Sequence, residues 1–177
     1  MQYKKLITGT TVILSSLLIF TTVALAKIEK YQLPLSSIKY HQLSKTAQKQ
    51  IDCLAKNIYY EAGFEPKDGQ MAVGLVTMNR VKSGNYADDV CGVVYQKTGH
   101  TYQFSWVGLK RLSKIDTSIY NNIVELATLI YMNHDRLKDI TGGATFYHAD
   151  YVRPGWKLEK TRQIGQHIFY KSPKDMI

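Results

Sequence analysis

A chain of 177 residues has the length of a single domain, and a formal net charge of +9 at pH 7 gives it an excess of basic side chains. That excess favours anionic partners. Nucleic acid is not expected among them, because the sequence holds no RNP, zinc-finger or helix-turn-helix signature.

The N-terminal segment has the pattern of a secretory signal peptide. Lys4 and Lys5 precede the apolar run LITGTTVILSSLLIFTTVALA, residues 6–26, which ends in small residues around Leu25. We expect cleavage after Ala26. An uncleaved membrane anchor through residues 6–26 is the alternative, since about 20 apolar residues can span a bilayer. Either outcome predicts an exported protein in the periplasm, cell wall or extracellular space.

The expected export restricts which anionic partners the chain can meet. Removal of residues 1–26 takes away two lysines and no acid, so the remaining chain carries a charge of about +7. Cell-wall polymers or a membrane surface are the expected partners of such a chain outside the cytoplasm. Cys53 and Cys91 are the two cysteines, and an oxidising compartment favours a disulfide between them over two buried free thiols.

The domain proper is predicted from residue 44 to residue 177, after an extended lead-in over residues 27–43. Ser44 is a plausible N-cap for a helix that runs to about Ala62. Its apolar positions recur every three or four residues: Ala47, Ile51, Leu54, Ala55 and Ile58. Gly63 is expected to take a left-handed conformation just past the end of this helix.

A second helix is predicted to begin at Pro66 and to end near Ser83 and Gly84. Because it is apolar on most sides, we expect it to be the buried central helix. A parallel-sheet strand over residues 72–78 is the lesser alternative. Residues 85–106 are expected to form a long, ordered surface loop with a short helical turn over residues 90–95, and long loops tend to be functional.

The C-terminal part is predicted to hold one more helix and two short strands. The helix follows Asp116 and ends near His134, with one apolar face formed by Ile119, Ile123, Leu126, Ala127 and Ile130. The segments ATFYHA and RQIGQHIFYK read as the two strands. The sequence therefore predicts an α+β fold: a small, mainly helical domain with a short C-terminal antiparallel β element.

Glu61 is the candidate for acid–base chemistry. It shares a helix face with Leu54 and Ile58, at spacings of seven and three residues. Burial disfavours the charged form of its carboxyl, and so does the negative end of the helix dipole, so we expect a raised pKa. A carboxyl protonated near neutral pH can act as a general acid. The alternative is a solvated glutamate at a helix end.

Other chemistries find less support in the sequence. Glu65 is either a second carboxylate or a cap of the next helix, Asp88 and Asp89 suit turns, and Glu125 is expected to face solvent. The histidines have no metal-ligand spacing, no GxSxG elbow is present, and Cys91 has no nearby base. No metal and no cofactor are therefore expected.

Aromatic residues cluster beside the polar segments and suggest a carbohydrate groove. They include Tyr59, Tyr60, Tyr95, Tyr102, Trp106, Tyr147, Tyr151 and Trp156. Sugar rings stack on aromatic faces while amides and hydroxyls bond their hydroxyl groups, so such a groove suits a polysaccharide. Packing within the core would explain about half of these side chains equally well.

Four segments in order resemble the cell-wall hydrolases of the spore-cortex-lytic type, the SleB/CwlJ-like family. They are NIYYEAGFEPKDGQMAVGLVTMNRV, VVYQKTGHTYQFSW, GATFYHADYVRPGW and QIGQHIFYK, and they span roughly residues 50–171. The resemblance implies a lysozyme-like α+β domain that cleaves peptidoglycan between N-acetylmuramic acid and N-acetylglucosamine. Glu61 matches the catalytic acid of the family's YxEA motif.

The resemblance also implies the substrate-binding residues. They are Tyr60, Gln103, Ser105, Trp106, Thr145, Tyr147 and His148. Two positions depart from the family pattern: Tyr60 stands where many members have Gly, and Tyr102 stands where phage- and plasmid-type relatives have Cys. The first change reshapes the groove beside Glu61, and the second removes one expected disulfide partner.

A single confident carboxylate favours the chemistry of a lytic transglycosylase, in which one glutamate serves as acid and then as base. Glycosidases that hydrolyse their substrate ordinarily need two carboxylates. Plain muramidase-type hydrolysis and a non-catalytic peptidoglycan-binding module are the alternatives. We expect peptidoglycan glycan strands as the partner, and a monomer.

Overall fold

The computed structural model describes residues 39–172. The predicted signal peptide or membrane anchor, residues 1–26, and most of the lead-in lie outside the described residues. At the end of the lead-in, Tyr40–Gln42 forms a short 3₁₀ helix, so an extended conformation is wrong for these residues. None of the helices within residues 39–172 is long and apolar enough to cross a membrane.

Helix α1, Lys45–Ala62, forms as predicted. The side chain of Ser44 caps it by accepting a hydrogen bond from the backbone N–H of Ala47 at 3.2 Å. The predicted apolar face is buried, with no exposed surface on Ile51, Leu54, Ala55 and Ile58. This face packs against both other long helices of the described chain, which makes α1 the centre of the core.

The expected left-handed conformation of Gly63 is wrong. Its φ of −57° and ψ of −29° are ordinary right-handed values. The residue is small for another reason, since a Cβ atom at Gly63 would lie 2.4 Å from the carbonyl oxygen of Tyr59. The chain leaves α1 by this close approach, which a side chain at position 63 would block.

Helix α2, Lys67–Ser83, is buried as predicted, and the alternative strand is wrong. The central place in the core that was expected for α2 belongs to α1 instead. Pro66 precedes its first residue, and Gly84 ends it with a left-handed φ of 68°. Buried positions occur on every side of the helix, from Gly69 to Arg80. The burial of the charged Arg80 at 5% exposure was not expected from the sequence.

Residues 85–106, predicted as a loop with one helical turn, contain more regular structure than expected. Helix α3, Val90–Tyr95, is that turn, capped by the side chain of Asp89. A hairpin of β1, Lys97–Thr98, and β2, Thr101–Tyr102, follows it. Strands of two residues are too short to leave an alternating pattern, so this hairpin was not predicted. A 3₁₀ helix over Ser105–Gly108 completes the segment.

A disulfide joins α1 to α3 through Cys53 and Cys91, whose Cα atoms lie 5.2 Å apart. Helix α4, Thr117–Asn133, then packs against α1 as its apolar face predicts. Asp116 caps α4 with its carboxylate, and its backbone N–H donates to the Tyr59 hydroxyl of α1 at 2.9 Å. These contacts hold the helical core together.

The C-terminal sheet has three antiparallel strands in the order β3-β5-β4: Phe146–Ala149, His167–Lys171 and Glu159–Ile164. The single strand predicted over RQIGQHIFYK is wrong, because the chain turns at Gly165, which has a φ of 56°. The inner face of the sheet packs Phe169 against Ala72 and Val76 of α2. An α+β fold, mainly helical with a C-terminal antiparallel sheet, is confirmed.

Replacement of both Cys53 and Cys91 by alanine should destabilise the protein. The bond closes a loop between positions 38 residues apart and so restricts the unfolded chain. We expect the free energy of unfolding to fall by about 2–4 kcal/mol, measured by urea denaturation. Wild-type protein unfolded with a reductant should match the double variant. An unchanged midpoint in both experiments would contradict the cross-link.

Candidate active site

Glu61 lies in the last turn of α1 and meets the C-terminal sheet there. Its carboxyl is partly buried, and the hydroxyl of Tyr147 in β3 donates a hydrogen bond to its Oε2 at 3.0 Å. The bond joins residues 86 positions apart in the sequence. It therefore depends on the packing of the sheet against the helices.

Burial raises the pKa of Glu61 above the ordinary value of a glutamate. The hydrogen bond from Tyr147 and the positive charge of Arg80 act in the opposite direction, because both stabilise the carboxylate. The same surroundings raise the pKa of Tyr147 well above its ordinary value, chiefly through burial and then through the negative charge of Glu61. Tyr147 therefore keeps its proton and remains a hydrogen-bond donor.

Arg80 is a buried cation that sequence reasoning missed as part of this site. Its Nε donates to the backbone carbonyl of Thr145 at 2.7 Å, two residues before Tyr147 in the chain. Its guanidinium lies among the aromatic rings of Phe104, Tyr86 and Phe146, with distances to the ring centroids of 5.0, 5.2 and 6.0 Å. The side chain thus ties the end of α2 to the start of the sheet.

A buried polar network anchors the aromatic wall beside Glu61. Asn57, one turn before Glu61, donates from Nδ2 to the hydroxyl of Thr77 at 3.1 Å. Its Oδ1 accepts from the indole Nε1 of Trp106 at 3.0 Å. The ring of Tyr60 stacks on that indole at a centroid distance of 4.8 Å. The feature of the sequence that could have indicated this network is Asn57 itself, a polar residue on the apolar face of α1.

Four of the expected substrate-binding residues, Tyr147, Tyr60, Trp106 and Thr145, are at least partly buried. Tyr147 contacts Glu61 directly, and Tyr60 covers Trp106, which is only 6% exposed. Thr145 is 2% exposed. We therefore assign Trp106 and Thr145 a supporting place behind the site, where they have little surface to offer a sugar ring.

Two further expected residues lie around the β1–β2 hairpin. The side-chain amide of Gln103 donates to the hydroxyl of Thr98 at 3.3 Å, and Ser105 is exposed. Gln103 also lines a cavity of about 220 Å³ whose other walls include Tyr86 and Phe146. The cavity shares these two rings with the surroundings of Arg80.

His148 does not join Glu61, because alternate side chains of a strand point to opposite faces and Tyr147 takes the inner one. The Nε2 atom of His148 lies 2.9 Å from the Tyr170 hydroxyl, and the two rings stack. Trp156 packs edge-on against both. These residues form a separate aromatic cluster on the outer face of the sheet.

Within residues 39–172, no group of three or more His, Cys, Asp or Glu side chains is arranged to hold a metal ion.

Glu65, in the loop that follows α1, carries the carboxyl nearest to Glu61 in the sequence. The sequence left open that Glu65 caps α2, but this alternative is wrong. The Oε1 atom of Glu65 instead lies 2.9 Å from Nδ1 of His167 in β5.

A family model described as Cell Wall Hydrolase matches residues 64–170, more than half of the chain. The chain belongs to the cell wall hydrolase family. The matched segment of this cell wall hydrolase contains Tyr147 and His167 and begins three residues after Glu61.

Spore cortex-lytic enzymes are relatives of this cell wall hydrolase. The enzyme of Halalkalibacterium halodurans is 32% identical over 122 residues, a match that covers 67% of this chain and 34% of that protein. The enzyme of Oceanobacillus iheyensis is 30% identical over 128 residues, covering 71% of this chain and 42% of that protein. The chain therefore spans well under half the length of the curated relatives it matches.

The fold is similar to that of a solved catalytic domain. The crystal structure of the catalytic domain of the Bacillus cereus SleB protein superposes with a TM-score of 0.54 at 28% identity. The match covers 70% of this cell wall hydrolase and 91% of that domain. The α+β arrangement of the described residues is therefore that of a known catalytic domain.

The Tyr147→Phe variant should raise the pKa of Glu61 further. A hydrogen bond to the charged form of a carboxyl lowers its pKa, so loss of the Tyr147 hydroxyl removes that effect and leaves burial less opposed. NMR titration of ¹³C-labelled glutamate carboxyl groups measures the change. Tyr151→Phe is the matched control, since Tyr151 is 79% exposed. A Glu61 pKa that is unchanged or lower in Tyr147→Phe would contradict the assignment.

Proposed function

We propose that this domain cleaves the glycan strands of peptidoglycan as a lytic transglycosylase, with Glu61 as general acid and then general base. The observation that carries the proposal is the environment of Glu61. Burial raises the pKa of this partly buried glutamate, while a tyrosine hydroxyl and a buried arginine stabilise its charged form. A group with these opposing influences is suited to give up a proton and to take one back.

The acid step uses the protonated carboxyl. Oε2 of Glu61 accepts the hydrogen bond from Tyr147, so the proton is placed on Oε1. From there it passes to the oxygen of the bond between N-acetylmuramic acid and N-acetylglucosamine. The bond from that oxygen to C1 of the muramic acid breaks, and the N-acetylglucosamine leaves with the proton as its hydroxyl group.

The base step uses the carboxylate that remains. Tyr147 and Arg80 stabilise its negative charge while C1 of the muramic acid carries positive charge. The C6 hydroxyl of the same sugar attacks C1, and its proton goes to Glu61. The product is a 1,6-anhydro sugar, no water is consumed, and Glu61 returns to its protonated form.

The enclosure of Glu65 supports this route over hydrolysis. Hydrolysing glycosidases place two carboxyl groups about 5–5.5 Å or about 6.5–9.5 Å apart across the scissile bond. Glu65 is the nearest candidate in the sequence, and its side chain is 10% exposed and pairs with His167. Such a carboxylate is poorly placed to attack a sugar or to activate water.

The relatives support the substrate class. Two proteins with 30% identity or more are named spore cortex-lytic enzymes, and the fold is similar to the catalytic domain of SleB. We extend cell-wall lysis to this chain on that basis, and with it an exported location. The exposed residues 108–114, GLKRLSK, offer three basic side chains to anionic wall polymers or a membrane surface.

The Glu61→Gln variant tests the proposal. The amide nearly preserves the shape of the glutamate but cannot donate a carboxyl proton, so we expect the rate of peptidoglycan clearing to fall by about 10²–10⁴-fold. Glu125→Gln is the matched control, because Glu125 is exposed on α4 and should retain wild-type activity. Near wild-type clearing by Glu61→Gln would remove Glu61 from the mechanism.

Mass analysis of the released fragments separates the three candidate functions. A lytic transglycosylase releases muropeptides that are lighter by one water molecule than those of a hydrolase. A non-catalytic binding module sediments with peptidoglycan and releases no soluble fragments. Hydrated fragments from the wild-type protein would overturn the transglycosylase route and favour hydrolysis.

A further inference from the structure

Glu65 and His167 form an enclosed pair next to the candidate active site. Oε1 of Glu65 lies 2.9 Å from Nδ1 of His167, and the side chains are only 10% and 8% exposed. Oε2 of Glu65 accepts a hydrogen bond from the backbone N–H of Gln166 at 3.3 Å. The loop after α1 is thereby joined to the β4–β5 turn, across about a hundred residues of sequence.

Two glycines make room for the Glu65 carboxylate. A Cβ atom would lie 2.3 Å from Oε2 at Gly69 and 2.0 Å from it at Gly165. Gly165 also has a φ of +56°, which by itself favours glycine, whereas Gly69 lies in the first turn of α2. The close approach of Glu65 is therefore the reason for glycine that the two positions share.

The pair reaches Glu61 through Tyr147. The rings of His167 and Tyr147 meet edge to face, with centroids 5.0 Å apart and planes at 83°. Strand β5 carries His167 beside β3, which carries Tyr147. The Tyr147 hydroxyl then donates to Glu61 at 3.0 Å. Four side chains thus lie in contact in the order Glu65, His167, Tyr147 and Glu61.

We propose that Glu65 is a positioning residue: it fixes the ring of His167, which in turn holds the Tyr147 hydroxyl against Oε2 of Glu61. This inference rests on the proposed function of Glu61. It gives Glu65 a role that needs no contact with the glycan. It also explains why a carboxylate so close in sequence to Glu61 is enclosed.

The charged or titratable groups that act on His167 are Glu65, Asp150 and His148, and the rings of Tyr147 and Phe169 lie against it. Burial lowers the pKa of His167, His148 acts in the same direction, and the two carboxylates oppose it. The imidazole is therefore neutral at neutral pH. Nδ1 of His167 lies 2.9 Å from Oε1 of Glu65, and this close contact restricts the orientation of the ring.

In the Glu65→Gln variant, the direction in which the pKa of Glu61 changes distinguishes a positioning role from a direct electrostatic effect. Loss of a nearby negative charge by itself lowers the pKa of Glu61, whereas loss of the Tyr147 hydrogen bond raises it. We expect the pKa of Glu61 to rise, as measured by NMR titration of ¹³C-labelled glutamate carboxyl groups in the full-length chain. An unchanged or lowered pKa of Glu61 would overturn the proposal.

A double-variant cycle adds the kinetic test. In the wild-type background, Glu65→Gln should lower the turnover of peptidoglycan by roughly 10- to 100-fold, since misplaced catalytic groups cost this much. In the Tyr147→Phe background the same change should have little further effect, because the group it positions is already absent. An equal loss in both backgrounds would show that Glu65 acts independently of Tyr147.

Gly69→Ala provides a second perturbation if Glu65→Gln does not fold. Its Cβ displaces Glu65 without altering any charge, so the pKa of Glu61 should again rise. Gly155→Ala is the matched control, because no atom lies near the position of its Cβ. A wild-type pKa of Glu61 in Gly69→Ala would contradict the positioning role.

The two proposals fail separately. If Glu61→Gln retains activity, the proposed function is wrong, and the titrations still decide whether Glu65 sets the position of Tyr147. If the titrations show no effect of Glu65 while Glu61→Gln is inactive, only the positioning role is wrong.

Discussion

The hydrogen bond from Tyr147 to Glu61 is the contact on which the candidate active site depends. It requires α1 to end beside the inner face of the sheet. It also places a hydrogen-bond donor on a carboxyl whose pKa is raised by burial. Burial favours the acid form needed to protonate a leaving group. Tyr147 and Arg80 favour the carboxylate needed afterwards. A fully exposed glutamate would lack the first influence, and a fully apolar pocket would lack the second.

The helical part of the fold could be predicted because its signals are local. Ser44, Asp116 and Gly84 mark helix ends by chemistry that acts within one turn, and apolar spacing identifies the buried faces. The prediction was wrong where the reason for a residue lies elsewhere in the structure. Gly63 is small because of a carbonyl oxygen, and Gly165 divides one apparent strand into two. Neither requirement is visible in a hydrophobic pattern.

The candidate site, like the fold, could be predicted only in part from the sequence. The spacing along α1 placed Glu61 at the edge of the apolar face, and the described structure agrees that its carboxyl is partly buried. Arg80, His167 and the enclosed Glu65 could not be assigned from the sequence, because their partners are separated from them by 65 to 102 residues. In a sequence, a charged residue that distant partners hold in the interior cannot be distinguished from a charged residue on the surface.

A crystal structure of the Glu61→Gln variant bound to a short peptidoglycan glycan tests the central claim most directly. We expect a glycosidic oxygen within about 3 Å of the side chain at position 61, the distance needed for proton transfer. The Tyr147 hydroxyl should remain beside that side chain. A glycan bound with every glycosidic oxygen out of reach of position 61 would mean that Glu61 is not the acid.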